Sequence, residues 1–345
     1  MTKQRIGLIG VGHWGPNIAT SFEATGRASM AWLCDLDASK EAKLATRFPD
    51  ARFTTDLQVV LADPSVVAVA ISTPVSTHFQ VATQALSAGK HVLLEKPLTA
   101  TSEQAVQLIA HAEACGKILM VGHIFEYNAT IETLKGLIDS GELGEIHYMY
   151  MERTNLGPVR TDVNALWDLA THDISIIHYL IGSFPTSVSA RGQAFLNGQT
   201  EDVAFVTFAY EHGLMAHIHA SWLNPRKVRQ ITVVGSKKMA TWDDMDMQAP
   251  IRIFDKRVRE SSGAIDADGY FSYKTAVFDG GVYIPRAVLN QPLKAECEHF
   301  LHCMASGDAP RTDGWNGLAV VRALEAATLS MQNGGASMPI VHSTR

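Results

Sequence analysis

Three polar side chains have types and spacings suited to taking a proton from a hydroxyl group. Lys96 stands in His91-Val-Leu-Leu-Glu95-Lys96-Pro97-Leu98, where three apolar residues run into a charged pair and then a proline. Asp168 and His172 are four residues apart in Trp167-Asp168-Leu-Ala-Thr-His172-Asp173, so on a helix they share one face and can meet. A carboxylate beside an imidazole orients the ring and stabilises its protonated form, as a base receiving a hydroxyl proton requires. A lysine at the same oxygen would polarise it; a lysine whose pKa is lowered by burial would itself serve as base, so the sequence leaves the two roles exchangeable. Asp173 projects elsewhere on the helix and suits either orienting the pair or a buried cap or salt bridge. Taken singly, Glu95-Lys96 and Asp168/His172 read as solvated charge pairs. Their occurrence together, in a chain that also carries Gly10-Val-Gly12-His13-Trp14-Gly15, favours chemistry.

Those side chains must be delivered by elements of defined direction. Arg5 to Ile9 predicts a short apolar strand, the glycine turn follows at once, and Pro16 suits the first turn of a helix through Ile18, Ala19 and Phe22. In that order, backbone N–H groups and the helix dipole receive a pyrophosphate. A second strand, Met30 to Cys34, ends in Asp35, 25 residues after Gly10. A carboxylate there accepts hydrogen bonds from the adenosine ribose hydroxyls and repels a 2′-phosphate, so NAD is expected over NADP. Asp37 is near enough to share the role. Helices around 40–48, 79–88 and 102–115 alternate with strands at 66–72, 91–95 and 118–121. The alternation predicts an α/β Rossmann domain over 1–122 with a doubly wound parallel sheet. Along its carboxyl edge would lie Gly12, Ser72-Thr73-Pro74 with His78, and Lys96; Thr73 and Pro74 serve equally well as helix caps.

Beyond Gly122 the pattern changes. A helix at 128–139 precedes alternating runs at 145–153, 187–194, 202–210, 214–223 and 230–234. They predict a C-terminal α+β domain, 123–345, built on a large, mainly antiparallel open sheet. Asp168 and His172 fall between its first two strands, on a helix running to Leu180. Before them, Arg153, Asn155 and Arg160 occupy a turn-rich run that suits either a phosphate or sugar ligand, or plain solvation. Trp167 reads as core. His217-x-His219 shares a strand face but lacks a third ligand, so no metal site is expected. Arg226 to Arg229 and Lys237-Lys238 are basic turns. Pro292 opens a helix carrying Glu296 and His299, and 317–331 forms a last, core-packing helix.

A chain of 345 residues suits two domains. The net charge of −6 argues against nucleic-acid or membrane partners, and no apolar run is long enough to span a bilayer. Cys34, Cys115, Cys297 and Cys303 form no C-x-x-C pair and read as reduced thiols, and no signal peptide is evident, so a cytoplasmic location is expected.

Gly10-x-Gly12-x-x-Gly15, Ser72-Thr73-Pro74 with His78, and Glu95-Lys96-Pro97, in this order, resemble the Gfo/Idh/MocA oxidoreductases, and Asp168-x-x-x-His172 matches that family's D-x-x-x-H motif. The resemblance covers nearly the whole chain. It implies an NAD-dependent enzyme acting on CH–OH groups, with cofactor contacts from Gly10, Gly12, His13, Trp14, Gly15, Asp35, Ser72, Thr73, Pro74, His78, Glu95 and Lys96. By the same resemblance Lys96 lies beside the nicotinamide, Asp168 and His172 contact the substrate, and His172 is the general acid/base. One departure is His123-Ile-Phe-Glu126-Tyr-Asn128, where the family commonly has a basic residue in an Asn-Arg-Arg-Phe-like run. The run from Arg153 to Asp162, followed by Trp167-Asp168, looks like the branch acting on nucleotide-linked amino sugars. That implies oxidation at C3 of UDP-N-acetylglucosamine ahead of a transaminase, on a route to lipid A or surface polysaccharide, with the diphosphate falling to Arg153, Arg160 or the 226–229 cluster. Oxidation of a free polyol or aldose such as myo-inositol is the alternative. A non-catalytic NAD-binding sensor is the third reading, although a sensor could dispense with Lys96, Asp168 or His172, all of which are present. The family also implies a homodimer or homotetramer.

Overall fold

A computed structural model describes residues 3–341 apart from 158, 161, 197 and 261–274. Contacts divide the chain into two compact units. The first comprises residues 1–128, 290–326 and 341–345, and the second 129–289 and 327–340.

In the first unit, strands β1 (Gln4–Ile9), β2 (Ala28–Cys34), β3 (Arg52–Thr54), β4 (Ala68–Ile71), β5 (His91–Glu95) and β6 (Leu119–Gly122) alternate with helices α1 (Gly15–Ala24), α2 (Glu41–Arg47), α3 (Leu57–Ala62), α4 (Val75–Ser87) and α5 (Ser102–Ala114). The sheet order is β3-β2-β1-β4-β5-β6, and every pairing is parallel. The central strands are buried on both faces: Ala68–Ile71 is wholly enclosed, as are Val92, Leu93 and Leu94. Such strands read as continuous apolar runs, and helices cover both sides. The strand order reverses between β1 and β4, so the carboxyl ends of β1, β4 and β5 border the crevice where ligands enter such sheets. Two elements lie outside the predicted pattern, the edge strand β3 and helix α3.

The second unit opens with α6 (Ala129–Asp139) and β7 (Ile146–Leu156), then α7 (Thr171–Ile181), β8 (Ser187–Gln193), β9 (Val203–Ala209), β10 (Met215–Ser221), β11 (Leu223–Gly235), β12 (Met239–Asp243), β13 (Ile251–Glu260) and β14 (Thr275–Tyr283). These strands, with β15 (Met338–Pro339) at one edge, form a nine-stranded sheet in the order β14-β13-β12-β11-β7-β10-β9-β8-β15. Only the β7–β10 pairing is parallel. Period-two alternation decides its faces: Ala216, Ile218 and Ala220 are buried, whereas Met215, His217 and His219 point the other way. The predicted sheet missed β12, β13 and the edge strand β14 on one side and the edge strand β15 on the other.

The chain then returns. Helix α8 (Pro292–Ser306), begun by its proline, packs on α1, where Phe22 and Phe300 meet edge to face with ring centroids 6.1 Å apart. Ile6, Leu8, Ile18, Met30 and Leu33 share that core. The last helix is α9 (Gly314–Gln332). All four cysteines are free thiols, three of them buried, and no described helix is long and apolar enough to cross a membrane.

Candidate active site

In the first unit, the turn between β1 and α1 is shaped by what its glycines lack. Gly10 has φ +87°, and a Cβ there would lie 2.8 Å from the Ser72 carbonyl; a Cβ at Gly15 would lie 2.3 Å from the Gly10 oxygen. A Cβ at Gly12 would meet nothing within 4 Å, so that side of the turn is open to a ligand. The hydroxyl of Ser72, just past β4, donates to the Gly10 carbonyl at 2.6 Å and locks the turn. Helix α1 has no acidic residue in its first turn, leaving its positive dipole end uncompensated. Asp35 follows β2 and accepts from the Val11 N–H at 2.8 Å, the Asp37 N–H at 3.0 Å and Lys40 Nζ at 2.8 Å. Burial works to raise its pKa, but these donors outweigh burial and hold it below the ordinary value. Asp37 is occupied in capping the next turn through the Ser39 N–H. An open glycine, an uncompensated helix end and an ionised carboxylate beyond the second strand fit the phosphates and ribose of NAD.

The same edge carries the amine. Lys96 follows β5 directly, and the Lys96–Pro97 peptide is cis. Glu95 accepts from the Trp14 indole N–H at 2.7 Å, which links the glycine turn to the end of β5. The Glu95 carboxyl lies over Gly122, where a Cβ would sit 3.2 Å from it. Burial raises Glu95 to about 7, against the pull of Lys96 and the indole donor. His13 and Pro74 are exposed, while His78 is buried, with Nδ1 facing the Pro97 carbonyl and Nε2 the Thr73 carbonyl, each at 2.9 Å. His78 thereby ties the turn after β4 to the turn after β5 from behind.

In the second unit, residues 166–170 form a π-helical turn that leads into α7, where a regular helix was predicted from 164. Such widened turns occur where a side chain must be re-aimed. Here Asp168 accepts from Arg160 Nη1 at 3.2 Å and from the Trp222 indole N–H at 3.3 Å. His172 lies in the first turn of α7 and is partly buried. Arg153, on β7, is 4% exposed. Its Nε bonds both Asp173 oxygens at 3.0 Å and its Nη2 reaches Oδ1 at 2.8 Å. This two-pronged pair pins α7 to the sheet. Removing either partner would strand a buried charge, at about 3–5 kcal/mol. Asn155 packs against Gly157, and Arg160 is exposed and paired with Asp162 at 2.6 Å.

The structure thus gathers Gly10, Gly12, Gly15, Ser72, Glu95 and Lys96 on one edge of the first unit, and Arg160, Asp168 and His172 around the start of α7 in the second. Trp222, 54 positions from Asp168, carried no sequence signal for that contact. Among the described residues no group of three or more His, Cys, Asp or Glu is arranged to hold a metal ion.

Comparison with known proteins identifies the family. The family model described as Gfo/Idh/MocA oxidoreductase family, NAD-binding Rossmann fold, matches residues 4–123, and that of the Gfo/Idh/MocA C-terminal domain matches 131–241. UDP-N-acetylglucosamine 3-dehydrogenase of Acidithiobacillus ferrooxidans is 30% identical over 324 residues, 94% of this chain and 96% of that protein. A solved structure of that enzyme superposes with a TM-score of 0.81 at 27% identity, covering 96% of this chain and 99% of the other. The NAD⁺-dependent scyllo-inositol 2-dehydrogenase of Bacillus subtilis is 26% identical over 97% of this chain and 95% of its own length.

Proposed function

Because the chain belongs to the Gfo/Idh/MocA oxidoreductase family and binds NAD through its Rossmann unit, we propose that it oxidises a secondary hydroxyl of a nucleotide-linked amino sugar to a ketone, with C3 of UDP-N-acetylglucosamine the first choice. Bound NAD supplies the hydride acceptor for that two-electron oxidation. Lys96 holds and polarises the reacting oxygen from the end of β5. His172 receives the hydroxyl proton as the C–H bond breaks, which avoids a full positive charge on carbon. Asp168, steadied by Arg160 and Trp222, contacts the sugar and orients the imidazole. Arg160, with the exposed Arg226 and Lys227, faces the diphosphate; Arg153 acts through Asp173 by fixing α7. Residues 1–122 serve the cofactor and 123–345 the substrate and the assembly of a cytoplasmic homodimer or homotetramer.

The observation that carries this reading is the Trp14–Glu95 bond, which joins the glycine turn to the end of β5, the strand that Lys96 follows. The sugar is argued from similarity to the Acidithiobacillus ferrooxidans enzyme along 94% of this chain. The inositol dehydrogenase relative, matched over 97% of the chain, favours a free polyol as the second reading. Purified protein mixed with NAD⁺ and, separately, UDP-N-acetylglucosamine, its uronate counterpart and myo-inositol separates them by NADH absorbance. Turnover of the first supports the proposal and turnover of myo-inositol alone selects the second reading. Silence with all three, even with a transaminase drawing off the ketone, refutes both.

A further inference from the structure

The NAD reading uses Asp35 and leaves the ammonium that grips it without a task. Lys40 Nζ reaches Asp35 Oδ2 at 2.8 Å, and the two side chains are 33% and 14% exposed, so a ligand can approach both. The chain between them builds this pairing. Asp37 caps the single helical turn Ala38–Lys40 by accepting from the Ser39 N–H at 3.0 Å, and the Lys40 N–H returns to the Asp37 carbonyl at 3.3 Å. That turn folds Lys40 back onto the end of β2.

A carboxylate offers about four lone-pair positions, two on each oxygen. On Oδ2 both are taken, by the Val11 N–H at 2.8 Å and by Lys40; on Oδ1 the Asp37 N–H at 3.0 Å takes one. One position is left for a ribose hydroxyl, which must donate. The vicinal hydroxyl finds no place on Asp35 and can accept, and the ammonium of Lys40 keeps N–H donors beyond the one given to Asp35. A fixed carboxylate–ammonium pair therefore matches a diol, one hydroxyl donating and the other accepting.

The neighbouring charges sharpen the role. Asp37 and Asp56 are acidic and engaged as caps, Asp56 through the Gln58 N–H at 2.8 Å. Arg47 and Arg52 are drawn elsewhere: Arg47 bonds Thr20 Oγ1 at 2.7 Å, and Arg52 lies over the Trp32 ring. An anion brought to Asp35 would be repelled by that carboxylate and attracted by Lys40. We propose that Lys40 is a second specificity residue for the cofactor: coupled to Asp35 it reads the adenosine ribose diol of NAD, and where that carboxylate is replaced by a neutral group it receives a 2′-phosphate instead. This rests on Asp35 facing the ribose. It concerns cofactor binding alone, so the identity of the sugar leaves it untouched.

Titration calorimetry of the full chain with NAD⁺ and, separately, NADP⁺ tests it without substrate. The unmodified protein should bind NAD⁺ and discriminate against NADP⁺. Asp35→Ser should gain NADP⁺ affinity by roughly tenfold or more, and that affinity should fall as salt is raised, as a phosphate–ammonium contact requires. Adding Lys40→Met should erase the gain, whereas Lys40→Arg, which keeps the charge, should preserve it. With Asp35 intact, Lys40→Met should weaken NAD⁺ several-fold and leave NADP⁺ as poor a ligand as before. A lysine that only braces the turn would, in the Asp35→Ser background, change both cofactors alike. Equal NADP⁺ affinity with and without Lys40, no gain in Asp35→Ser, or unchanged NAD⁺ affinity in Lys40→Met would overturn the proposal. An unmodified chain that binds both cofactors equally would remove the ribose role of Asp35 itself, and the proposal with it. Should the melting temperature show that Asp35→Ser fails to fold, Asp35→Asn, which keeps an acceptor for the Val11 N–H, takes its place with the same expected outcomes.

Discussion

At the scale of single residues, the proposed chemistry turns on the division of labour it assigns to Lys96 and His172. Lys96 follows Glu95, whose carboxyl is raised to about 7 by burial against the pull of the neighbouring Lys96 charge. An ionised Glu95 favours the ammonium form of Lys96, and an ammonium can donate to an oxygen but cannot take a proton from it. A histidine is the side chain whose ordinary chemistry suits receiving a proton near neutral pH, which is why the proposal gives that role to His172. Replacing either by alanine removes one function without touching the glycine turn or Asp35. Lys96→Ala and His172→Ala are each expected to lower turnover by roughly a hundred- to ten-thousand-fold, while NAD affinity, followed by protein fluorescence quenching, stays within a few-fold of the unmodified chain. Near-normal turnover in one of them would remove that residue from the mechanism. The roles proposed for both come from sequence signals that are local: a strand end for Lys96, a four-residue spacing for Asp168 and His172. The partners that hold Asp168 were not legible in the sequence. Arg160 and Trp222 reach it from 8 and 54 positions away, and only the folded chain brings them there.

At the scale of elements, the β1–turn–α1 unit separates two uses of glycine. Gly15 is packed against its own turn, where a methyl group would fall 2.3 Å from the Gly10 oxygen. Gly12 faces open space, so a methyl group there is harmless to the chain alone and obstructs only a ligand that approaches the backbone. Gly12→Ala is therefore expected to keep its melting temperature and lose NAD affinity by tenfold or more, about 1.4 kcal/mol in binding. Gly15→Ala should lose both, which calorimetry with titration of NAD would resolve. An unchanged NAD affinity in Gly12→Ala would mean that the phosphates bind elsewhere. This unit was fully readable because strand, turn and helix are adjacent in sequence and each has its own composition. Less of the sheets was readable at their edges. Arg52–Thr54 is three residues long, too short to show a period. Strands β12 to β14 owe their pairing to neighbours in space, and nothing in Leu-Trp-Asp-Leu-Ala marks the π-helical turn at 166–170 that carries Asp168.

At the scale of the whole molecule, one face of the nine-stranded sheet sets the expectation of assembly. Its buried face is lined by residues such as Ala216, Ile218 and Ala220, yet the opposite face is not polar as a solvated sheet face would be. Tyr148, Tyr150, Phe205 and Met215 are 44%, 37%, 46% and 51% exposed, on three adjacent strands. Between them, His217 stacks on Tyr150 at 5.7 Å and His219 on Phe205 at 4.5 Å. A patch of that kind is stabilised when a second copy covers it. Light scattering should therefore return two or four times the 37.5 kDa of the chain, and Tyr150→Asp with Phe205→Asp should return 37.5 kDa while NAD binding persists. A wild-type mass of 37.5 kDa would reject this interface outright. Acid supplies a second reading of the same face. Burial lowers the pKa of both imidazoles, and His219 lowers that of His217 further, so each is held neutral in the folded chain. For groups with lowered pKa, the stabilisation is present above the ordinary histidine value and is lost as pH falls through the depressed one. The folded chain should accordingly lose stability on acidification below that value, and replacing both histidines by glutamine should flatten the pH dependence of its melting temperature.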